Sequence, residues 1–361
     1  MLTQNDIDSL FGKFIDENIR LEQKDVEASA KSREWFLDRL KSEISKDESN
    51  PKLYAADPFV KFGSYFAGTQ VKPVDEKDVL VVIDSNTGVF SRSGSSYGNG
   101  LGSANPNKKY NSKFMKDDGT GVSPTKQLNW LKKLADNILI PLGGEASFRN
   151  GQSVTIKLKS KNLKIDLIPA GIFSRTIDSN NIFYNIPNGK ADNGWIITNP
   201  KIDLIRIKNL AQSKNGIKDI VRLIKFIRDS YKMNISSYAI QCSVCDFAED
   251  NYWSENFSYN FEWALKSFIR DLKIGSIYDG YDPNLNLLDG VDSLDYYVGR
   301  LENVESVLSF LQQEDSRGSA YKKMVNILSN GKVEVKLSEA SFSLKDRSLR
   351  QLLDDYNNLR G

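Results

Sequence analysis

Two acidic residues, Glu76 and Asp78, stand at the start of the apolar run VLVVI, and they constrain the fold more than any other feature of the chain. Alternate residues of a β-strand point to the same face, so a strand that begins here directs both carboxylates to one point. A third carboxylate, Asp166, opens another apolar run far downstream. A sheet that brings the two strands together would gather three oxygen ligands of the kind that Mg²⁺ prefers.

A Gly-Ser pair, Gly63 and Ser64, precedes these carboxylates, and 11 residues separate Ser64 from Glu76. A small turn of this kind can hold phosphates beside metal-binding carboxylates, which is the arrangement that two-metal phosphoryl transfer requires. Of the other nearby acids, Asp75 would point to the opposite face of the strand, and Asp84 would lie ~20 Å from Asp78. The alternative interpretation is a solvated turn before a buried strand, without a catalytic role.

Four motifs in residues 60–240 accompany the carboxylates: GSYFAGTQVKP, KIDLIPA, YNIPNGKADNGWIITNP, and RLIKFIRDSY followed by Ser237-Tyr238. In this order and spacing they resemble the bacterial cGAS/DncV-like nucleotidyltransferases, a branch of the polymerase β-like superfamily. Two positions depart from the family pattern. Glu76 stands where Asp is commoner, and Lys77 stands where an apolar residue is usual. We expect Lys77 to point away from the metal ligands, at a sheet edge.

The resemblance implies an α+β fold, in which a mixed sheet with helices carries the catalytic site. A carboxy-terminal helical domain would close over the cleft beside this sheet. We expect the catalytic domain, with one long or two shorter amino-terminal helices, in residues 1–202. The helical domain that binds and encloses the nucleotide is expected in residues 203–361.

The resemblance also implies the residues of the site. Glu76, Asp78 and Asp166 would be the catalytic carboxylates and would hold two Mg²⁺ ions, with Mn²⁺ as a possible substitute. The residues expected to contact the nucleotide are Gly63, Ser64, Thr69, Lys225, Ser237 and Tyr238. Lys218, Arg222 and Lys225 fall on one stripe of a helix. Lys225 is expected to contact triphosphate oxygens, and the other two are expected to be ordinary solvated charges.

The function implied is synthesis of a cyclic di- or oligonucleotide second messenger from NTPs, which serve as donor and acceptor, in bacterial anti-phage signalling. The product would act on a downstream effector, and an activating partner from the same operon is possible. An alternative enzyme transfers nucleotides to an RNA 3′ end, as CCA-adding or tailing enzymes do. A third interpretation is a degenerate member that only binds nucleotides or a partner.

Composition excludes several other classes of protein. None of the 361 residues is histidine, so catalytic triads and HExxH zinc sites are ruled out. The 49 basic and 47 acidic residues nearly balance, which argues against strong generic binding of nucleic acid. No apolar run reaches membrane-spanning length and no secretory leader is evident, so we expect a cytoplasmic protein. We expect a monomer rather than a stable oligomer.

Cys242 and Cys245 form a CxxC motif in the segment YAIQCSVCDFAE. A structural zinc ion normally takes four Cys or His ligands, and the chain has no others. A redox pair is possible, but the thioredoxin-like context is missing. Two buried thiols on an apolar helix are therefore the expected arrangement.

Hydrophobic periodicity gives the remaining elements in outline. Residues 4–47 and most of the chain after residue 203 show helical spacing. Ser123 and Pro124 mark the start of another helix, because Ser caps helices and Pro suits the first turn. Residues 152–158 alternate as a strand.

Residues 86–123 are rich in Gly, Ser and Asn and show no period, so we predict a long loop, either a mobile insertion or a flap near the nucleotide.

Deleting most of a mobile insertion should change the free energy of unfolding only slightly, since the cost of loop closure grows slowly with length. Limited proteolysis should cut there first. Protection by added NTP would favour the flap, and resistance to protease without a ligand would contradict both.

Overall fold

The computed structural model describes residues 1–73, 76–84, 90–92, 102–104, 112–117, 122–158, 163–173, 182–189, 194–280 and 284–335. Among the helices in these ranges, none combines the length and the apolar composition that crossing a membrane requires.

The described residues form ten α-helices and nine β-strands. The helices are α1 (Gln4–Asn18), α2 (Gln23–Ser45), α3 (Gly63–Ala67), α4 (Pro124–Leu139), α5 (Pro200–Ser213), α6 (Ile217–Ser230), α7 (Ser237–Asp250), α8 (Phe257–Ile274), α9 (Leu294–Ser309) and α10 (Arg317–Leu328). The strands are β1 (Phe59–Phe62), β2 (Glu76–Ile83), β3 (Phe90–Arg92), β4 (Gly102–Ala104), β5 (Phe148–Asn150), β6 (Ser153–Leu158), β7 (Leu163–Phe173), β8 (Phe183–Pro187) and β9 (Trp195–Thr198).

Seven of these strands form one mixed sheet in the order β1-β2-β7-β6-β5, and β8 pairs with both β7 and β9. β2 and β7 run parallel, whereas the other neighbours in the sheet are antiparallel. The predicted mixed sheet with helices, followed by a helical carboxy-terminal region, is therefore confirmed.

The two faces of the sheet bury different cores, and β2 shows the alternation that separates them. Val79 and Val81 pack in the core that α2 and α4 cover. Leu80 and Val82 belong to a second core on the other face, which also contains Tyr184. Side chains at even positions of β2, Asp78 included, therefore point away from α2 and α4.

A third core joins α1 to the helices of the carboxy-terminal half. The ring of Phe14 in α1 is fully buried and meets the ring of Phe226 edge-on, with 5.4 Å between centroids. The amino-terminal segment thus forms two helices with different partners, α1 among helices and α2 on the sheet. The predicted boundary after residue 202 stays a prediction, although α5, which begins at Pro200, runs across it.

The predicted start of α4 is confirmed. The hydroxyl of Ser123 accepts a hydrogen bond from the backbone N–H of Lys126 at 3.3 Å, and Pro124 is the first helical residue.

Most of the predicted loop at 86–123 lies outside the described residues. Within its described parts, β3 and β4 pair antiparallel, so the expectation of a segment without secondary structure is wrong there. Strands of three residues are too short to produce a recognisable two-residue period.

The expected position of Lys77 at a sheet edge is also wrong. β2 has β1 on one side and β7 on the other, and the Lys77 side chain is fully buried. The residue does point away from the carboxylates, because it shares the strand face of Val79.

The packing of α1 generates a stability prediction. Phe14→Ala should lower the free energy of unfolding by about 3–5 kcal/mol, because it removes a fully buried ring and leaves a cavity. Phe310→Ala, at a ring that is 51% exposed, should change it by less than about 1 kcal/mol. Urea denaturation of both variants checks this, and equal effects would contradict the placement of α1.

Candidate active site

Asp78 and Asp166 lie side by side on the two parallel strands. The register of β2 and β7 pairs Asp78 with Asp166 directly. Neighbouring strands are about 4.8 Å apart, and paired residues point to the same face, so both carboxylates can reach one cation. Asp78 is half-buried, and Asp166 is 7% exposed.

The orientation of Asp166 is fixed from the next strand. Thr155 in β6 is its partner in the antiparallel register, and the Thr155 hydroxyl donates a hydrogen bond to Asp166 Oδ1. This contact holds one carboxylate oxygen and leaves Oδ2 for other ligands. Sequence reasoning identified the strand at 152–158 but missed this role of Thr155.

The Gly-Ser turn contacts the second carboxylate directly. β1 ends opposite Asp78, where Phe62 and Asp78 pair, and α3 begins at the next residue, Gly63. Gly63 has φ +79°, and a Cβ added there would lie 1.9 Å from Asp78 Oδ2. Only glycine fits this approach, both for its backbone conformation and for the space it leaves.

Ser64 follows at the start of α3. Its backbone carbonyl accepts a hydrogen bond from the N–H of Thr69 at 2.8 Å, which closes the short helix. The residue is half-buried, and its hydroxyl makes no hydrogen bond to any described residue. The structure therefore brings Gly63 to Asp78, as the sequence predicted, and Ser64 is the next residue of the same turn.

Glu76 begins β2, two residues before Asp78. Its side chain lies outside the described part of the structure, and among the described side chains no group of three or more Cys, Asp or Glu residues could hold a metal ion. The donor set nevertheless suits Mg²⁺, because hard carboxylate oxygens converge from adjacent strands and Gly63 leaves them room. Glu76 as a third ligand stays a prediction.

Thr69 and Lys225 are both buried and contact each other. Thr69 is fully buried, and the Lys225 amine, in a side chain only 3% exposed, donates to Thr69 Oγ1 at 3.0 Å. The Thr69 hydroxyl also lies 3.3 Å from Gln241 Oε1. The pKa of Lys225 is lowered to about 7, chiefly by burial and in part by the cations of Arg228 and Arg222. Direct phosphate contacts by Thr69 and Lys225 stay predictions. The role of Gln241 was missed, since nothing in its sequence context distinguishes it.

Ser237 and Tyr238 are the first residues of α7, which packs against α3. Ser237 accepts a hydrogen bond from Arg228 at 3.1 Å, and the Tyr238 hydroxyl donates to Asp203 Oδ1 at 2.8 Å. The pKa of Asp203 is raised to about 6, chiefly by burial and in part by the nearby Asp279. Sequence reasoning missed Asp203, because an acid in the first turn of a helix is common without any further role.

The three cations of the predicted stripe on α6 have different surroundings, and those of Lys225 are described above. Lys218 lies beside the turn, with its Nζ 3.5 Å from the position of a Cβ at Gly68. Arg222 is not an ordinary solvated charge, because it donates to Asp219 at 2.5 Å and both side chains are largely buried.

The expectation that Cys242 and Cys245, in α7, are buried thiols is confirmed. Burial raises the pKa of Cys245 to about 12 and also raises that of Cys242, which keeps both protonated.

No family model matches the chain. A probable cyclic nucleotide synthase of Bacillus cereus (strain VD146) is 26% identical over 339 residues, which are 88% of this chain and 95% of the relative. A cyclic GMP-AMP synthase-like receptor of Nicrophorus vespilloides is 20% identical over 190 residues, which are 50% of this chain and 52% of the receptor.

Solved structures agree with these relatives. E. coli MS115-1 CdnC, in its structure with ATP, aligns with a TM-score of 0.63 at 14% identity, over 90% of this chain and 97% of CdnC. Vibrio cholerae DncV in its apo form aligns with a TM-score of 0.62 at 13% identity, over 89% of this chain and 93% of DncV. The resemblance to the bacterial cGAS/DncV-like nucleotidyltransferases is confirmed, and the chain has their fold. A structure of CdnC in complex with a HORMA protein aligns equally well, with a TM-score of 0.63.

The contact between Gly63 and Asp78 can be tested with a matched pair of glycines. Gly63→Ala should displace the Asp78 carboxylate and weaken Mn²⁺ binding by roughly tenfold or more, measured by titration calorimetry. Gly143→Ala should bind Mn²⁺ as the wild type does. Gly143 has a similar φ of +71°, but a Cβ there would meet nothing within 4 Å, so the pair separates the contact from backbone strain. Equal effects of the two changes would contradict the proposed site.

Proposed function

We propose that this chain is a nucleotidyltransferase that makes a cyclic dinucleotide or a short cyclic oligonucleotide from NTPs. One observation carries the proposal: Asp78 and Asp166 are paired in register on parallel strands, with Gly63 packed against Asp78. The likeness to a probable cyclic nucleotide synthase over 88% of the chain supports it. We further propose that the product is a second messenger in defence against phage, in keeping with the family resemblance.

The carboxylates of Asp78, Asp166 and Glu76 would bind two Mg²⁺ ions, which would supply charge neutralisation of the triphosphate and acidify the attacking hydroxyl. Ser64, whose hydroxyl has no partner among the described residues, would bind the β- and γ-phosphates of the donor nucleotide. The Thr69–Lys225 contact would keep Ser64 in place during this binding. Most of the work of such a site is positioning and charge compensation, which needs neither His nor a reactive Cys.

Asp166 would accept the proton of the acceptor ribose hydroxyl. Thr155 occupies Oδ1 of this carboxylate, so Oδ2 is the atom left to take the proton. The hydroxyl oxygen then forms a bond to the α-phosphorus of the donor, and the bond to pyrophosphate breaks in line with it. A second transfer of the same kind within the linear product would close the ring.

Tyr238 and Asp203 would form part of the nucleotide pocket on the helical side. The two residues are hydrogen-bonded to each other, and α7, which carries Tyr238, packs against α3. The complex of CdnC with a HORMA protein leads us to propose that an activating partner also binds this chain.

Incubation of the protein with radiolabelled NTPs and Mg²⁺ or Mn²⁺, without a primer, tests the proposed function. The expected product resists phosphatase, because a ring has no terminal phosphate, and mass spectrometry identifies it. Asp78→Asn and Asp166→Asn should each lower its formation by at least ~100-fold, since each removes a metal-binding charge. Asp84→Asn, at the residue that follows β2, should retain activity.

Two results would contradict the proposal. Near wild-type activity in the Asp78 or Asp166 variant would show that the site lies elsewhere. Robust extension of an RNA 3′ end, without any product from NTPs alone, would show that the chain is an RNA-tailing enzyme. Binding to RNA would then weaken steeply with salt, because counterions are released on binding.

A further inference from the structure

Lys77 stands between Glu76 and Asp78 in the sequence, but its side chain lies on the opposite face of the sheet. It is among the largest side chains of the described residues that are fully buried. A cation in the centre of a sheet is costly, and an apolar residue of the same length would avoid the cost. None of the catalytic or binding roles proposed above involves Lys77.

The Lys77 amino group touches two elements besides its own strand. It donates a hydrogen bond to Ser29 Oγ in α2 at 2.7 Å. It also lies over the ring of Tyr65, 3.8 Å from the centroid. Tyr65 is the residue after Ser64 in α3. The lysine therefore links β2 and α2 to the short helix that begins with the Gly-Ser pair.

The other side of this bridge is also anchored on α2. The Tyr65 hydroxyl donates to the backbone carbonyl of Val26 at 3.1 Å. The buried Arg33 guanidinium lies 4.8 Å from the ring centroid of Phe66, the next residue of α3. Two rings of a helix only five residues long are thus held by groups from β2 and α2.

The five-residue helix needs such support. A helix of this length is not stable by itself, because it closes few internal hydrogen bonds for the residues that it orders. Its first residue must stay against Asp78 Oδ2, where even a methyl group would not fit. Lys77 precedes Asp78 on the same strand, so a contact from Lys77 to Tyr65 ties the turn and the carboxylate together within a few residues of each.

We propose that Lys77 is a positioning residue, which holds the Tyr65 ring and thereby keeps Ser64 and Gly63 in place beside the Asp78 carboxylate of β2. The proposal deepens the proposed function and rests on it for its kinetic consequences. Its structural part, the support of α3 by Lys77, stands on the contacts alone.

Amide hydrogen exchange tests the structural part without reference to activity. In Lys77→Met, the amides of Gly68 and Thr69, which close α3, should exchange roughly tenfold faster than in the wild type, since a buried amino–ring contact is lost. Tyr65→Leu should have at least the same effect, and Tyr65→Phe, which keeps the ring and loses only the hydroxyl's bond to Val26, should have a smaller one than Tyr65→Leu. Lys61→Met removes an amine that pairs with Glu34 at the surface of neighbouring β1, and it serves as the control.

Kinetics test the consequence for the site. Lys77→Met should raise the KM for NTP roughly tenfold, because the phosphate-binding Ser64 is no longer fixed. In a Ser64→Ala background, the same change should raise the KM for NTP by a much smaller factor, since the phosphate-binding hydroxyl that Lys77 positions is already gone. A purely destabilising change would cost the same factor in both backgrounds.

Unchanged exchange at Gly68 and Thr69 in Lys77→Met would overturn the proposal. So would equally faster exchange throughout β2, because that result would indicate a general loss of stability. Equal costs of Lys77→Met with and without Ser64 would overturn it as well. A wild type that makes no nucleotide product would contradict the proposed function, and the exchange measurement would still decide the role of Lys77.

Discussion

The parallel pairing of β2 with β7 is the constraint on which the site depends. Its register sets Asp78 beside Asp166, and a slip of one residue would send one of the two carboxylates to the opposite face. The register is stabilised by packing on the opposite face of the sheet, where odd positions of β2 are buried under α2 and α4. A parallel pair also needs a long crossover, and α4 lies within it and covers the sheet. The apolar side of the sheet thus fixes the geometry of its polar side.

Two buried lysines hold the short helix α3 from different sides. Lys77 reaches the Tyr65 ring from the sheet, and Lys225 reaches the Thr69 hydroxyl from α6. Burial lowers the pKa of each to about 7, which reflects the cost of placing amines in the interior. In both cases the buried contact of the amine holds the turn that contains Ser64 in position. The helical half and the sheet therefore meet at α3, where the proposed phosphate-binding groups lie.

The sequence was sufficient for the carboxylates and the turn, because strand alternation and short motifs are local signals. Asp78, Asp166 and Gly63 come together as predicted. The side chains around them were less predictable, since their partners are distant in sequence. Thr155 was read only as part of an alternating strand, and Lys77 was placed at an edge because a buried lysine has no sequence signature. Short strands such as β3 were missed for want of a period.

The most direct test of the account is a crystal structure of the protein with a non-hydrolysable NTP and Mg²⁺ or Mn²⁺. We expect metal ions bound by Asp78 and Asp166, with Glu76 as a further ligand, and triphosphate oxygens hydrogen-bonded to Ser64. We expect the base on the side of Tyr238. A nucleotide bound away from α3, or metal ions that contact neither aspartate, would contradict the central claim.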